Sequence, residues 1–268
     1  MSHPLDYQDH LIAFIDLLGI KSEICSSDES ANKLLHLLDR FAQSRKEFDA
    51  RITKIKDGHE VNLRPAVSTF SDHIVVSYPL DKLKQEYGLE PHILIFELSS
   101  LISRYAIQAL ACGFLVRGGI TIDKLYHKGD IVFGRGLIEA HHLESEIAVL
   151  PRIIISEKVF EYLPHLKELA DTKGTGIYRD SDNCYCLEYM TGTISLVPPR
   201  VSDMQDRTLE WIEEIKSAIA KNLRELTQRG NTRALENWQW FSKAFDEALS
   251  NLKDMHEKHG SHYFSRDT

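Results

Sequence analysis

No run of about 18 apolar residues occurs in this chain, so a membrane-spanning helix is not expected. The segment from Met1 to His10 lacks the basic start and apolar stretch of a secretory signal. Cysteine is scarce: Cys25, Cys112, Cys184 and Cys186. Cys184 and Cys186, one residue apart, would share one face of a strand, which is not zinc-ligand spacing. Reduced thiols in a cytosolic protein are the expectation, with a Cys184/Cys186 redox pair as the sharper reading. Positive charge is in deficit, with Lys+Arg 32 against Asp+Glu 40 and a net charge of −8. That excludes a broad nucleic-acid surface but leaves room for a local basic pocket. No Ser-His-Asp or Cys-His arrangement stands out, and no internal repeat or low-complexity segment is present. What remains is a 268-residue globular chain, 43% hydrophobic, with a cytoplasmic location and no membrane or nucleic-acid partner expected.

The periodicities predict a β-α-β-β-α-β core with additions. His10 to Asp16 reads as a buried strand and Ser30 to Phe48 as an amphipathic helix. Leu63 to Tyr78 reads as two strands around a turn at Ser71-Asp72, ended by Pro79. Pro91 opens a helix that runs to about Cys112 and stops at Gly113. Phe114 to Ile122 reads as a strand interrupted by Gly118-Gly119, followed by a strand or loop through Asp130 to Val132. Gly134 to Glu146 looks helical and Pro151 to Ser156 is a short buried strand. Ser156 then caps a helix to Leu163. Asn183 to Met190 is a last strand. The order is close to a ferredoxin-like α+β sandwich. Pro198-Pro199 breaks the chain. Two stripes follow, Leu209 to Leu226 and Trp238 to Met255, separated by Gly230-Asn231; they predict an αα-hairpin. Two domains are expected: 1–197, and a helical extension 198–268. The hairpin stripes pack on the sheet or on each other, or else form part of a dimer interface.

Two aspartates stand inside apolar strand sequence: Asp16 in Leu11-Ile-Ala-Phe-Ile-Asp16, and Asp72 in Val67-Ser-Thr-Phe-Ser-Asp72-His-Ile-Val-Val76. Burying an ionised carboxylate costs several kcal/mol unless a cation or hydrogen bonds compensate. Taken singly, Asp16 is a strand-end helix cap and Asp72 a hairpin-turn residue. Taken together, in a β-α-β-β unit, the end of the first strand and the hairpin turn meet at one edge. There both could ligate Mg²⁺ or Mn²⁺, hard cations that want oxygen. Arg117, ahead of Gly118-Gly119, offers a guanidinium to phosphate oxygens or to a surface salt bridge. The glycines from Gly129 to Gly136, ahead of a helix, resemble a phosphate-binding loop, but no Gly-Lys-Ser/Thr follows. His141 and His142, adjacent on a helix, diverge and read as polar residues rather than ligands.

Five stretches, in this order, resemble one family. They are Phe14-Ile-Asp16-Leu-Leu-Gly19-Ile-Lys21, Thr69-Phe-Ser-Asp72, Arg117-Gly-Gly-Ile-Thr121, Gly134-Arg-Gly-Leu-Ile-Glu-Ala-His-His-Leu-Glu144-Ser145 and Pro151-Arg-Ile-Ile-Ile-Ser156. Across residues 8 to 190 the chain is similar to class III nucleotide cyclases. The resemblance implies a ferredoxin-like cyclase domain working as a head-to-tail homodimer with two active sites at the interface. It implies two Mg²⁺ or Mn²⁺ ions per site on Asp16, Asp72 and the backbone carbonyl of Leu17.

The departures narrow it further. Where purine cyclases carry a base-reading lysine, Ser68 stands; where they carry a base-reading aspartate, Arg135 follows Gly134. Ile138 and His142 replace the asparagine and arginine of the transition state. Loss of purine reading with the metal pair kept resembles the bacterial Pycsar pyrimidine cyclases of anti-phage defence. Their product, cyclic UMP or cyclic CMP, activates a separately encoded effector. On that resemblance Phe14, Ser68, Thr69 and Phe70 line the substrate. Arg117 or Arg135 supplies the catalytic cation, and Lys173 corresponds to a later phosphate-binding lysine. UTP is favoured over CTP. The alternatives are a purine cyclase with a rewired pocket and a catalytically silent, nucleotide-binding module.

Overall fold

The computed structural model describes residues 6–20, 28, 31–39, 53–56, 59–62, 64–81, 92–170, 176–190 and 204–258. The chain is α+β: one large, mostly antiparallel sheet, helices packed against it, and a C-terminal pair of long helices.

β1 (Gln8–Leu18) is the pivot. Its apolar run is buried along nearly its whole length, as a strand covered on both faces must be. β4 (Ala66–Phe70) and β5 (His73–Pro79) form the hairpin foreseen around Ser71-Asp72. β5 pairs antiparallel with one edge of β1 and β6 (Leu115–Lys128) with the other. The resulting order β4-β5-β1-β6, with helix α1 (His92–Ala111) between β5 and β6, is the ferredoxin-like arrangement. β7 (Ile131–Phe133) folds back antiparallel on the end of β6, and beyond β6 the sheet continues through β8 (Ile153–Ile155), β10 (Tyr185–Leu187) and β9 (Ile177–Arg179), with β8 parallel to β6. β2 (Thr53–Lys56) and β3 (His59–Asn62) make a separate small hairpin. That hairpin, β9 and a short helix, α4 (His165–Ala170), were not foreseen from the sequence.

Strand alternation sorts the two faces of the sheet. Leu11, Ala13, Ile15 and Leu17 of β1, with Ile74, Val76 and Tyr78 of β5, point into the main core beneath α1. Gly113, at φ +86°, ends α1 in a Schellman turn: Phe114 N–H donates to the Ala109 carbonyl and Gly113 N–H to that of Leu110. α1 alone among the described helices has the length and composition to cross a membrane, but its Leu94, Leu98, Leu101 and Ala109 are buried in this core. α5 (Met204–Arg229) and α6 (Thr232–Lys258) place Ile212, Ile215, Ile219, Trp238, Phe241 and Phe245 in the same core. The side chains of Leu209 and Met255 lie outside the described residues.

The opposite face carries Ile12, Phe14, Val75 and Leu125, and α2 (Arg135–His142) lies across it. Here β6 corrects the sequence reading, for it runs unbroken through Gly118-Gly119. The glycines are there because neighbours press close. A Cβ on Gly118 would meet the Phe14 carbonyl at 2.5 Å, and one on Gly119 would meet the Ala140 carbonyl and the Leu143 Cβ. Gly134 and Gly136 act the same way, against the Lys124 carbonyl and the Ile12 side chain, so these two glycines bring α2 down onto the sheet. The helix expected over Gly134 to Glu146 is α2 followed by one turn of π-helix, Leu143–Ile147. Ser156 caps α3 (Glu157–Tyr162) as foreseen, its hydroxyl accepting from Lys158 N–H.

Candidate metal and nucleotide site

The register brings the anomalous carboxylate of β1 to the hairpin turn. Asp16 pairs across β5 with His73 and across β6 with Arg117. In antiparallel strands directly opposed residues project on the same face. His73 Nε2 lies 3.5 Å from Asp16 Oδ1, and its Nδ1 lies 3.2 Å from Asp72 Oδ1. Asp16, Asp72 and His73 each offer one ligand atom, all within 4.8 Å of one another. Two aspartates 56 positions apart in the chain therefore converge, through the crossover of the ferredoxin-like core.

Asp16 is only 6% exposed. Burial pushes its carboxyl up from the ordinary range, against the pull of the Arg117 guanidinium and His73. Arg117 lies between two acids: its Nη2 is 3.2 Å from Asp16 Oδ2, and its Nε is 2.6 Å from Glu144 Oε1. Glu144 reaches this point because the π turn carries it under the sheet face, where it is 1% exposed. Its carboxyl is raised to about 7, chiefly by burial and then by the neighbouring Asp16. Three carboxyl groups thus face one arginine and one imidazole. A divalent cation suits this donor set, since oxygen and imidazole ligands accept Mg²⁺ or Mn²⁺ and the cation offsets the carboxylate charge.

An aromatic patch borders the carboxylates. Phe14 lies 5.2 Å from His73, 6.1 Å from Phe70 and 5.1 Å from His141, by ring centroids. Phe14 is buried, whereas Phe70 is 43% exposed. Ser68, one row along β4, projects on the same face as Phe70.

The other sequence candidates fall elsewhere. Thr69, by alternation, points to the opposite face of β4 from Ser68 and Phe70. Arg135, 69% exposed, pairs with Asp123 at 3.0 Å, six residues along β6 from Arg117. Leu17 turns its side chain into the main core. Lys173 lies outside the described residues, as does Cys25. Cys112, Cys184 and Cys186 are in no disulfide, and burial pushes the Cys186 thiol up to about 12.

His73 and Glu144 were not singled out from the sequence. The signal for His73 was available: with Asp72 in the turn, period two puts His73 on the face of Asp16 once β5 is placed beside β1. Nothing in the sequence marked Glu144 as buried, because an α-helical continuation would have turned it differently.

No family profile matches the chain, and no curated protein matches it. Solved structures that match include a bacterial light-regulated adenylyl cyclase, at 14% identity and a TM-score of 0.42. The match covers 81% of this chain and 59% of that one, so the chain spans about three fifths of that structure's length.

Proposed function

We propose that the chain is a metal-dependent nucleotide cyclase whose substrate is a pyrimidine nucleoside triphosphate. The observation that carries this reading is the convergence of Asp16, Asp72 and His73 at the edge of an aromatic patch. Asp16 and Asp72 would hold Mg²⁺ or Mn²⁺, which lowers the pKa of a coordinated hydroxyl and neutralises phosphate charge. In the reaction the substrate's 3′-oxygen bonds to its own α-phosphorus, the bond to pyrophosphate breaks, and the hydroxyl proton passes to solvent. The chain supplies position and charge, with no covalent intermediate. Arg117 holds the Asp16 carboxylate in place from the far side. Ser68, where a long cationic side chain would be needed for a purine edge, suits a smaller base.

The reading extends to a second copy of the chain. Phe70 and Ile138, 43% and 72% exposed, flank the site as apolar surface that a partner would cover. Arg135, too distant from Asp16 along β6 to serve the same site, would serve the partner's. The cyclic product would act on a separately encoded effector. A silent nucleotide-binding module is the second reading, favoured by the engagement of Arg117 with two carboxylates.

The test is incubation of the purified protein with ATP, GTP, CTP or UTP and Mn²⁺ or Mg²⁺, followed by mass spectrometry. A cyclic pyrimidine monophosphate supports the reading. A cyclic purine product moves the chain to the purine cyclases. Nucleotide binding without any product supports the silent module.

A further inference from the structure

Four polar side chains from four strands form a continuous chain on the site face of the sheet. Ser68 Oγ lies 2.9 Å from His127 Nε2. His127 Nδ1 lies 2.8 Å from Ser77 Oγ, and Ser77 Oγ lies 3.2 Å from His10 Nδ1. These residues sit on β4, β6, β5 and β1, with His10, Ser77 and His127 buried. The outer end, Ser68, is half-buried and also lies 3.4 Å from the Gly129 carbonyl.

The chain has two proton arrangements, and counting donors shows why. Ser77 has one hydroxyl proton and touches two ring nitrogens, so one must donate and the other accept. If His127 donates from Nδ1, its Nε2 is bare and takes the Ser68 proton. Ser68 then presents only lone pairs outward. If His10 donates from Nδ1, Ser77 donates to His127, and His127 donates from Nε2 to Ser68. The Ser68 proton then goes to the Gly129 carbonyl at 3.4 Å, or outward to a ligand acceptor in its place. Both imidazoles are neutral as this requires: burial lowers each to about 4, with the facing His127 a second cause at His10. Each arrangement satisfies every contact among the four side chains, and the second also lets Ser68 donate to the Gly129 carbonyl, a long contact at 3.4 Å that a ligand acceptor can replace.

Ser68 occupies the sheet row of Val75 and Phe14, next to the row of Phe70, His73 and Asp16. At about 3.4 Å rise per residue, the two rows are about 7 Å apart. A ligand whose phosphates met Asp16 and Asp72 would reach Ser68 with its base if it lay along this face past Phe70.

We infer that His127, backed by Ser77 and His10, sets which way the Ser68 hydroxyl hydrogen-bonds and so lets one pocket read both uracil and cytosine. Uracil carries a proton on N3 and cytosine a lone pair. Ser68 accepts from the first and donates to the second, and the relay reverses to match. His127 is a positioning residue, and Ser68 is the group that meets the base. This rests on the pyrimidine reading above.

The experiment uses 3′-deoxy-UTP and 3′-deoxy-CTP, which lack the attacking hydroxyl, with the full chain labelled at histidine with ¹⁵N. The expected result is opposite His127 tautomers in the two complexes, seen in the imidazole nitrogen shifts. Calorimetry should show Ser68→Ala binding both ligands about ten-fold more weakly, with pyrophosphate affinity unchanged. Ser77→Ala should leave one His127 tautomer with both ligands and separate their affinities by about ten-fold. If Ser77→Ala does not fold, Ser68→Ala and the wild-type spectra carry the test. The same tautomer in both wild-type complexes, or unchanged affinity in Ser68→Ala, overturns the relay. Failure of the wild type to bind either ligand overturns the nucleotide reading beneath it.

Discussion

Asp16 and His73 face each other across β1 and β5, with the His73 Nε2 3.5 Å from the Asp16 Oδ1 while its Nδ1 reaches Asp72. One imidazole thus spans two carboxylates, one on β1 and one in the β4–β5 turn. Replacing either carboxylate removes half of the proposed ligand pair. Asp16→Ala and Asp72→Ala are each expected to lower turnover at least a thousand-fold, on the scale of losing a charged catalytic group. Circular dichroism should show both variants folded, and turnover within ten-fold of wild type in either would end the metal assignment.

His73 should tune the ion rather than create the site. Imidazole raises the affinity of an oxygen site for Mn²⁺ more than for Mg²⁺. His73→Ala is expected to raise the Mn²⁺ concentration for half-maximal activity about ten-fold, a ligand-sphere effect. The Mg²⁺ requirement should move less. Titrating both metals against activity checks this, and equal shifts for the two ions would show that His73 is no ligand.

These two predictions differ in how legible their residues were. A carboxylate inside Leu-Ile-Ala-Phe-Ile-Asp is an energetic anomaly on one strand, so Asp16 stood out with no knowledge of its neighbours. Asp72 needed only a hairpin turn, which Ser71-Asp72 between apolar runs supplies. His73 and Glu144 become visible only through register and through a π turn, and both are tertiary properties. Gly118-Gly119 misled for the same reason. Read locally, two glycines break a strand; in the fold Gly119 admits α2 and the π turn, where Ala140 and Leu143 press against β6, and Gly118 admits the neighbouring strands at Phe14, Ile15 and Ile153. The ferredoxin-like order was readable because each of its strands and helices carries a strong period. The edge strand β9 (Ile-Tyr-Arg) and the hairpin strands β2 (Thr-Lys-Ile-Lys) and β3 (His-Glu-Val-Asn) were not, because none carries an apolar run like that of the equally short β8 (Ile-Ile-Ile).

The close approach at Gly119 has a measurable cost if filled. A Cβ there would lie 2.5 Å from the Leu143 Cβ and would also strike the Ala140 carbonyl, which is backbone and cannot swing aside. Gly119→Ala is expected to destabilise the fold by about 1–3 kcal/mol, the usual cost of overpacking. Gly129, with nothing near its Cβ position, faces no such clash, although its φ of +59° still strains a substitution. Urea melts of Gly119→Ala against wild type give the number. A loss below about 0.5 kcal/mol would mean α2 moves freely over the sheet.

The two buried histidines make stability fall with acid. Each is lowered to about 4 in the fold, against 6.5 as the ordinary value. Between those values the unfolded chain binds protons that the folded chain refuses, so stability drops as pH falls from about 6.5 to about 4, by up to about 1.4 kcal/mol per pH unit for each histidine. Glu144 pulls the other way. Its carboxyl, raised to about 7 in the fold from 4.5, takes up a proton there first and adds stability as pH falls between those values. The histidine contribution is therefore read as a difference. His127→Gln should flatten the fall of Tm between pH 6.5 and 4 relative to wild type, and parallel curves would show that burial does not hold His127 neutral.

The C-terminal helices should prove inseparable from the sheet. Phe241 and Phe245 of α6 stand against Ala106 and Leu110 of α1 and Phe114, together with Leu115 of β6. Removing α5 and α6 would bare that side of α1, whose other face already serves the sheet. Exposed apolar surface of this kind costs about 25 cal/mol per Å², and a marginally stable fold cannot carry hundreds of square ångströms of it. A chain ending at residue 203 is thus expected to aggregate or melt without cooperativity. Phe245→Ala, which removes a ring that is 1% exposed, is expected to cost about 3–5 kcal/mol. A truncated chain that stays soluble, melts cooperatively and binds nucleotide would instead make 198–268 an independent extension, and the shared core a mere contact between two domains.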